Sequence, residues 1–173
     1  MAMVRDARGE HDALRAFLAE ARANVRRSVL GLDHARTVER PTASALTLAG
    51  LVKRLATVER NWTGVIRGVH NDQGRPGQEL AEGETVEDAL AEYAAVAAST
   101  DELLDGLDLD REVDLGLLGH PLVVGKVRTV RWVLLHLVSE TAQHAGHADL
   151  LRESLDGATS FELVAAAGDP LLT

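Results

Sequence analysis

Glu140, His144 and His147 stand close together inside an apolar run that begins at Trp132, with His136 one turn upstream. At about 100° per residue, these four side chains fall within an arc of roughly 80° that overlaps the arc of Val133, Leu137 and Leu151. Polar groups turned toward a core carry a desolvation cost. They must therefore be paired with one another, with a neighbouring helix or with a metal ion. The i,i+4 spacing lets Glu140 and His144 converge on one point, where a metal would stand about 2.0–2.2 Å from each ligand atom. Two protein ligands are fewer than the three a catalytic zinc site normally uses. His136 and His147 lie one turn outside the pair, and a straight helix does not easily bring either onto the same ion. The chain has no cysteine, so any metal here must take nitrogen and oxygen ligands and no disulfide is available.

These side chains need a scaffold, and the apolar periodicity supplies four amphipathic helices. Leu14, Phe17, Leu18, Ala21, Val25 and Val29 predict a first helix over about residues 10–30, with Gly31 as its stop. Thr47 is placed to cap a second helix carrying Leu48, Leu51, Leu55, Val58, Trp62, Val65 and Val69. The segment from His70 to Gly77 has the residues of a loop, and Thr85 with Asp88 forms a capping-box pattern that opens a third helix. Its expected buried stripe is Leu90, Tyr93, Val96, Ala97, Leu103 and Leu104. Residues 107–128 alternate like short strands but are broken by Gly116, Gly119, Pro121 and Gly125, which predicts a long irregular connection with room for a small hairpin. Thr129 then caps the fourth helix, which ends near Asp156-Gly157, and the tail from Ala158 is expected to pack loosely. The fold class that follows is all-α, a four-helix bundle in one domain over residues 1–173.

Bulk composition agrees with helices. Of the 173 residues, 46% are hydrophobic but only 3% aromatic, so the core is built from Leu, Val and Ala. A net charge of -9 repels a phosphate backbone, and no basic block is interleaved with aromatics, which argues against a nucleic-acid partner. The segment Met1-Ala-Met-Val-Arg-Asp lacks a signal's apolar core, and no apolar run reaches about 18 residues, so the expectation is a cytoplasmic protein that does not enter a membrane. Gly-rich phosphate loops, a Gly-x-Ser-x-Gly elbow and a cysteine nucleophile are all lacking in the sequence.

The fourth helix, read from Arg131 through His136, Glu140, His144, His147, Asp149, Arg152 and Glu153 to Asp156-Gly157, resembles the DinB/YfiT-like superfamily, and within it an actinobacterial, mycothiol-dependent-transferase-like branch. The second helix, Thr47-Leu-Ala-Gly-Leu-Val-Lys-Arg54-Leu-Ala-Thr-Val-Glu59-Arg-Asn-Trp62, is similar to that family's second helix. The resemblance implies a four-helix bundle, frequently dimeric, with characterised members acting as thiol-dependent transferases and isomerases. It also implies a divalent ion, often zinc or nickel, held by a histidine of the second helix and two residues four apart on the fourth. Carried onto this chain, the pair is Glu140 and His144, and the second-helix histidine is replaced by Arg54. A guanidinium has no lone pair for a metal and is not deprotonated near neutrality.

Three arrangements follow for that corner: a metal on Glu140 and His144 with a recruited ligand, an Arg54–Glu140 ion pair in the metal's stead, or Arg54 turned to solvent with Glu140 bonded to His144. Arg54, Glu59, Trp62, His136 and His147 are the expected pocket-lining residues. Glu59, close to the apolar arc, is expected to pair with Arg131 or Arg152 or to orient a histidine. The functional expectation is a member with a degenerate metal site, a small-molecule-binding or structural homodimer. The alternative is a zinc- or nickel-dependent transferase or isomerase using mycothiol or a similar thiol on a small electrophile.

Overall fold

The computed structural model describes residues 4–71 and 79–169 and is built of α-helices with one small β-ribbon. The expected loop positions 72–77 and the last residues of the tail, 170–173, lie outside the described residues.

Helix α1 spans Gly9–Ser28. Glu10 and Asp12 in its first turn and Arg26 and Arg27 in its last oppose the helix dipole's partial charges, while Leu14, Leu18, Ala21 and Val25 form the buried side. A one-turn helix α2, His34–Thr37, follows; its signal was the Asp33 side chain, which accepts from the Arg36 N–H at 2.9 Å. Helix α3 covers Leu48–Arg67, capped by the Thr47 hydroxyl accepting from Gly50 N–H and closed by Gly68 at φ 75°. Helix α4, Val86–Leu103, opens on the expected capping box of Thr85 and Asp88, with both reciprocal bonds made. Its buried side is narrower than expected, because Tyr93 and Leu104 are buried whereas Leu90, Val96, Ala97 and Leu103 are only partly covered. Helix α5, Val130–Asp156, begins at Thr129 and ends at Gly157.

Between α4 and α5 the connection forms β1, Glu112–Asp114, and β2, Val127–Thr129, paired antiparallel with Val113 opposite Arg128. Two short 3-10 turns, Leu115–Leu118 and Pro121–Val123, fill the space between the strands. Asn71 N–H donates to the Leu117 carbonyl at 2.7 Å, which ties this connection to the end of α3. Gly119, at φ 67°, makes the approach tolerable, since a Cβ there would lie 2.9 Å from the Asn71 carbonyl oxygen.

The tail departs from expectation. Ser160–Ala167 forms helix α6, opened by a second capping box, Thr159 with Glu162, and closed by Gly168. Leu163 and Val164 are buried and the helix packs on α1, so apolar burial holds this segment where loose packing was expected.

Helix α1 packs chiefly on α5, and α3 packs on both α4 and α5. Two apolar clusters make the core, one around Val25, Leu51, Leu55, Tyr93 and Leu151, the other around Leu18, Leu104, Val133 and Leu137. A buried polar pair sits between them. Arg22 Nε and Nη2 donate to the two Glu59 oxygens at 3.0 and 2.5 Å, and Nη1 reaches Asp101 at 2.9 Å, joining α1, α3 and α4. No helix among the described residues is long and apolar enough to cross a membrane.

Candidate functional site

The phase of α5 places His136, Glu140 and His144 along the side that faces α3, and the phase of α3 sends Arg54 toward them. Nε of Arg54 donates to His144 Nε2 at 3.4 Å, and Nη2 stands 3.8 Å from Glu140 Oε1. The Glu140 oxygen lies 3.2 Å from the same His144 nitrogen. That nitrogen carries either a lone pair or a proton, so it can accept from Arg54 or donate to Glu140, but not both at once. His147 Nδ1 is 3.4 Å from His144 Nδ1, so the bond made on that side helps set which His144 nitrogen carries the proton. Burial holds the His144 imidazole below its ordinary pKa; Glu140 opposes the shift and the Arg54 charge reinforces it. A neutral imidazole, a carboxylate and a guanidinium therefore share one partly buried corner.

This donor set does not fit a divalent ion as it stands. Glu140 and His144 supply two ligands, and the third member of the cluster is a cation. Among the described residues no group of three or more histidines, aspartates and glutamates is arranged to hold a metal. A divalent ion about 4 Å from the guanidinium would meet a repulsion of about 8 kcal/mol at an effective dielectric of about 20.

Beside the cluster a cavity of about 450 Å³ opens between α3, α5 and the connection. Arg54, Trp62, His136 and Glu140 line it. His136 is stacked on Trp132, with centroids 5.3 Å apart and planes 3° from parallel, and its centroid is 4.4 Å from that of Trp62. Arg128 covers the Trp132 ring, 5.6 Å from its centroid. Burial lowers the His136 pKa, with Glu140 opposing. A second cavity of about 460 Å³, with His34 on its wall and Arg40 and Glu79 paired with each other at 2.5 Å, is of similar size but shares no lining residue with the Arg54 cavity.

Two expected pocket residues are elsewhere. Glu59 is buried against Arg22 and not against Arg131 or Arg152: Arg131 reaches Glu10 at 2.6 Å and also pairs with Asp110, while Arg152 holds Asp156 and the Ser28 and Leu30 carbonyls at the end of α1. Arg22, set among Leu18, Ala21 and Val25, was the signal for that partner. His147 lies behind His144, away from the cavity. Asn61, beside Arg54 on α3, and the opposite wall of Asn71, Leu118, His120, Leu122 and Val123 were not expected from the sequence. Asn61 shares the Arg54 face of α3 and was legible by spacing; the others come from segments with no periodicity to place them.

The family model described as mycothiol-S-transferase matches residues 13–157, from the second turn of α1 to the cap of α5. No curated protein matches the chain. Among solved structures, the crystal structure of a conserved protein of Enterococcus faecalis superposes with a TM-score of 0.62 at 15% identity, covering 88% of this chain and 100% of that one. At that identity the likeness speaks for the fold.

Proposed function

The chain belongs to the mycothiol-S-transferase family, the DinB/YfiT-like group that its fourth-helix motif resembles, and from that premise we propose a metal-independent member, a cytoplasmic homodimer that binds a small molecule between α3 and α5. The observation that carries this reading is the placement of the Arg54 guanidinium, 3.4 Å from His144 and 3.8 Å from Glu140. One cation stands where the family would use another. Arg54 supplies positive charge without a coordination site, so the corner can bind and orient polar groups but offers no open metal position to a thiol. Trp62 and His136 give the cavity an aromatic wall suited to an organic ligand.

Calorimetric titration with zinc and with nickel tests the reading. The wild-type protein is expected to bind neither tightly, and Arg54→His, which supplies a third nitrogen and removes the charge, is expected to bind one ion per chain. Tight binding by the wild type, abolished by Glu140→Gln or His144→Ala, would sink the proposal.

A second reading is favoured by the family match itself and by the retention of both α5 ligands: a zinc- or nickel-dependent transferase or isomerase using mycothiol. In it the bound ion would lower the pKa of the thiol, while Glu140 and His144 would hold the ion and the cavity would orient the electrophile. It requires Arg54 to leave the pair, and the same titration separates the two.

A further inference from the structure

Arg54 and Glu140 both line the cavity, and their closest approach of 3.8 Å lies outside hydrogen-bond range. A closed charge-assisted bond would bring them to about 2.7–2.9 Å. Among the described residues, the one side-chain contact of each within hydrogen-bond range is to the same His144 nitrogen, which satisfies only one of them at a time. The Nη groups of Arg54 and the Oε2 of Glu140 therefore keep their hydrogen-bonding capacity beside an organic-sized space.

The two charges sum to zero, which restricts what can settle between them. A simple carboxylate would satisfy Arg54 but crowd Glu140, and a simple amine would do the reverse; either leaves a partly buried charge unbalanced. A molecule carrying both charges a short distance apart balances both. Standard bond lengths hold the ammonium nitrogen and the nearer carboxylate oxygen of an α-amino acid about 3 Å apart, close enough for one molecule to face both members of the protein pair, whose nearest atoms stand 3.8 Å apart. Val58, Trp62, Leu118, Leu122 and Val123 make the apolar part of the remaining wall, which also carries asparagine and histidine side chains.

The geometry points to a binding site for a small apolar α-amino acid, its carboxylate on Arg54, its ammonium on Glu140 and its side chain against Trp62 and Leu122. The assignment rests on the metal-independent reading, since a metal on Glu140 would remove the acceptor.

The only two tryptophans of the chain, Trp62 and Trp132, stand together at this corner with ring centroids 5.8 Å apart, so intrinsic fluorescence reports on it. The full chain, kept in a chelator, is titrated with L-phenylalanine, with 3-phenylpropanoate and with 2-phenylethylamine, the last two each lacking one charge. Phenylalanine is expected to give a saturable change at least tenfold tighter than either. Arg54→Met should erase its advantage over the amine, and Glu140→Gln its advantage over the carboxylate. Equal binding of phenylalanine and either half-ligand, or no saturable change with any of the three, overturns the assignment. Should a variant lose its helical circular dichroism, the three-ligand comparison on the wild type decides alone. Metal content measured on the same preparation before the chelator is added keeps the two claims apart: one ion per chain overturns the metal-independent reading, whereas metal-free protein that ignores phenylalanine overturns only the amino-acid site.

Discussion

Arg54 converts a pair of metal-ligand types into a hydrogen-bonded corner, and the neighbouring aromatic stack tunes what that corner does with protons. His136, covered by Trp62 and Trp132, has its pKa held below the ordinary 6.5 by burial. The folded protein therefore resists a proton that the unfolded chain accepts, so stability is full above that value and falls as the pH drops through it. Thermal melts between about pH 8 and pH 5.5 should show a falling midpoint, with His136→Gln flattening the slope; identical slopes would mean the imidazole is not so buried. The Arg22–Glu59 pair is a purely structural counterpart. Glu59→Ala leaves a guanidinium at 2% exposure with only Asp101, and the loss should be about 3 kcal/mol, at the low end for a broken buried pair because Asp101 still contacts it. A denaturant midpoint shifted by less than about 1 kcal/mol would contradict this burial. Glu140, His144 and Arg54 were readable from sequence because helical phase alone brings them to facing sides. The partner of Glu59 was not, since which arginine meets it depends on how three helices pack.

Helix α5 has a second face that, apart from Trp132 at its start, the site does not use. Trp132, Leu135, Ser139, Ala142, Gly146 and Leu150 run along it without a charge, in a chain where 26% of residues are charged, and all are exposed. A second copy of α5 packed on this strip would approach most closely at Gly146, which has no side chain, and this is the contact that the homodimer of the proposed function would use. Leu150→Arg should convert a dimer to a monomer in sedimentation velocity while leaving the melting temperature nearly unchanged, because Leu150 is 61% exposed. Equal sedimentation of both proteins would place the interface elsewhere. The four long helices were legible from apolar periodicity and from Thr47, Thr85 and Thr129 as caps. Helix α6 carried the same kind of signal in Thr159, Glu162 and Gly168, and its brevity hid it, because eight residues offer barely two turns of periodicity. The cavity wall from Leu118 to Val123 had no such pattern; Gly119 and the Asn71–Leu117 hydrogen bond fix it through contacts between distant segments.

At the scale of the molecule, the bundle brings four helices around a core split by the Arg22–Glu59 layer, with the Arg54 corner and its cavity on one side. The scaffold is that of the mycothiol-S-transferase family, and a single residue on α3 separates this chain from the ligand set that its motif implies. Fold and family were legible because α5 carries a long, unusual motif; function was not, because a guanidinium in a ligand position can repel a metal, replace it or move aside. The measurement that decides is elemental analysis of the untagged, full-length protein after growth in medium supplemented with zinc and nickel. Far less than one ion per chain is expected, unchanged when Glu140 or His144 is replaced; one zinc or nickel per chain, lost in either variant, would overturn the metal-independent reading.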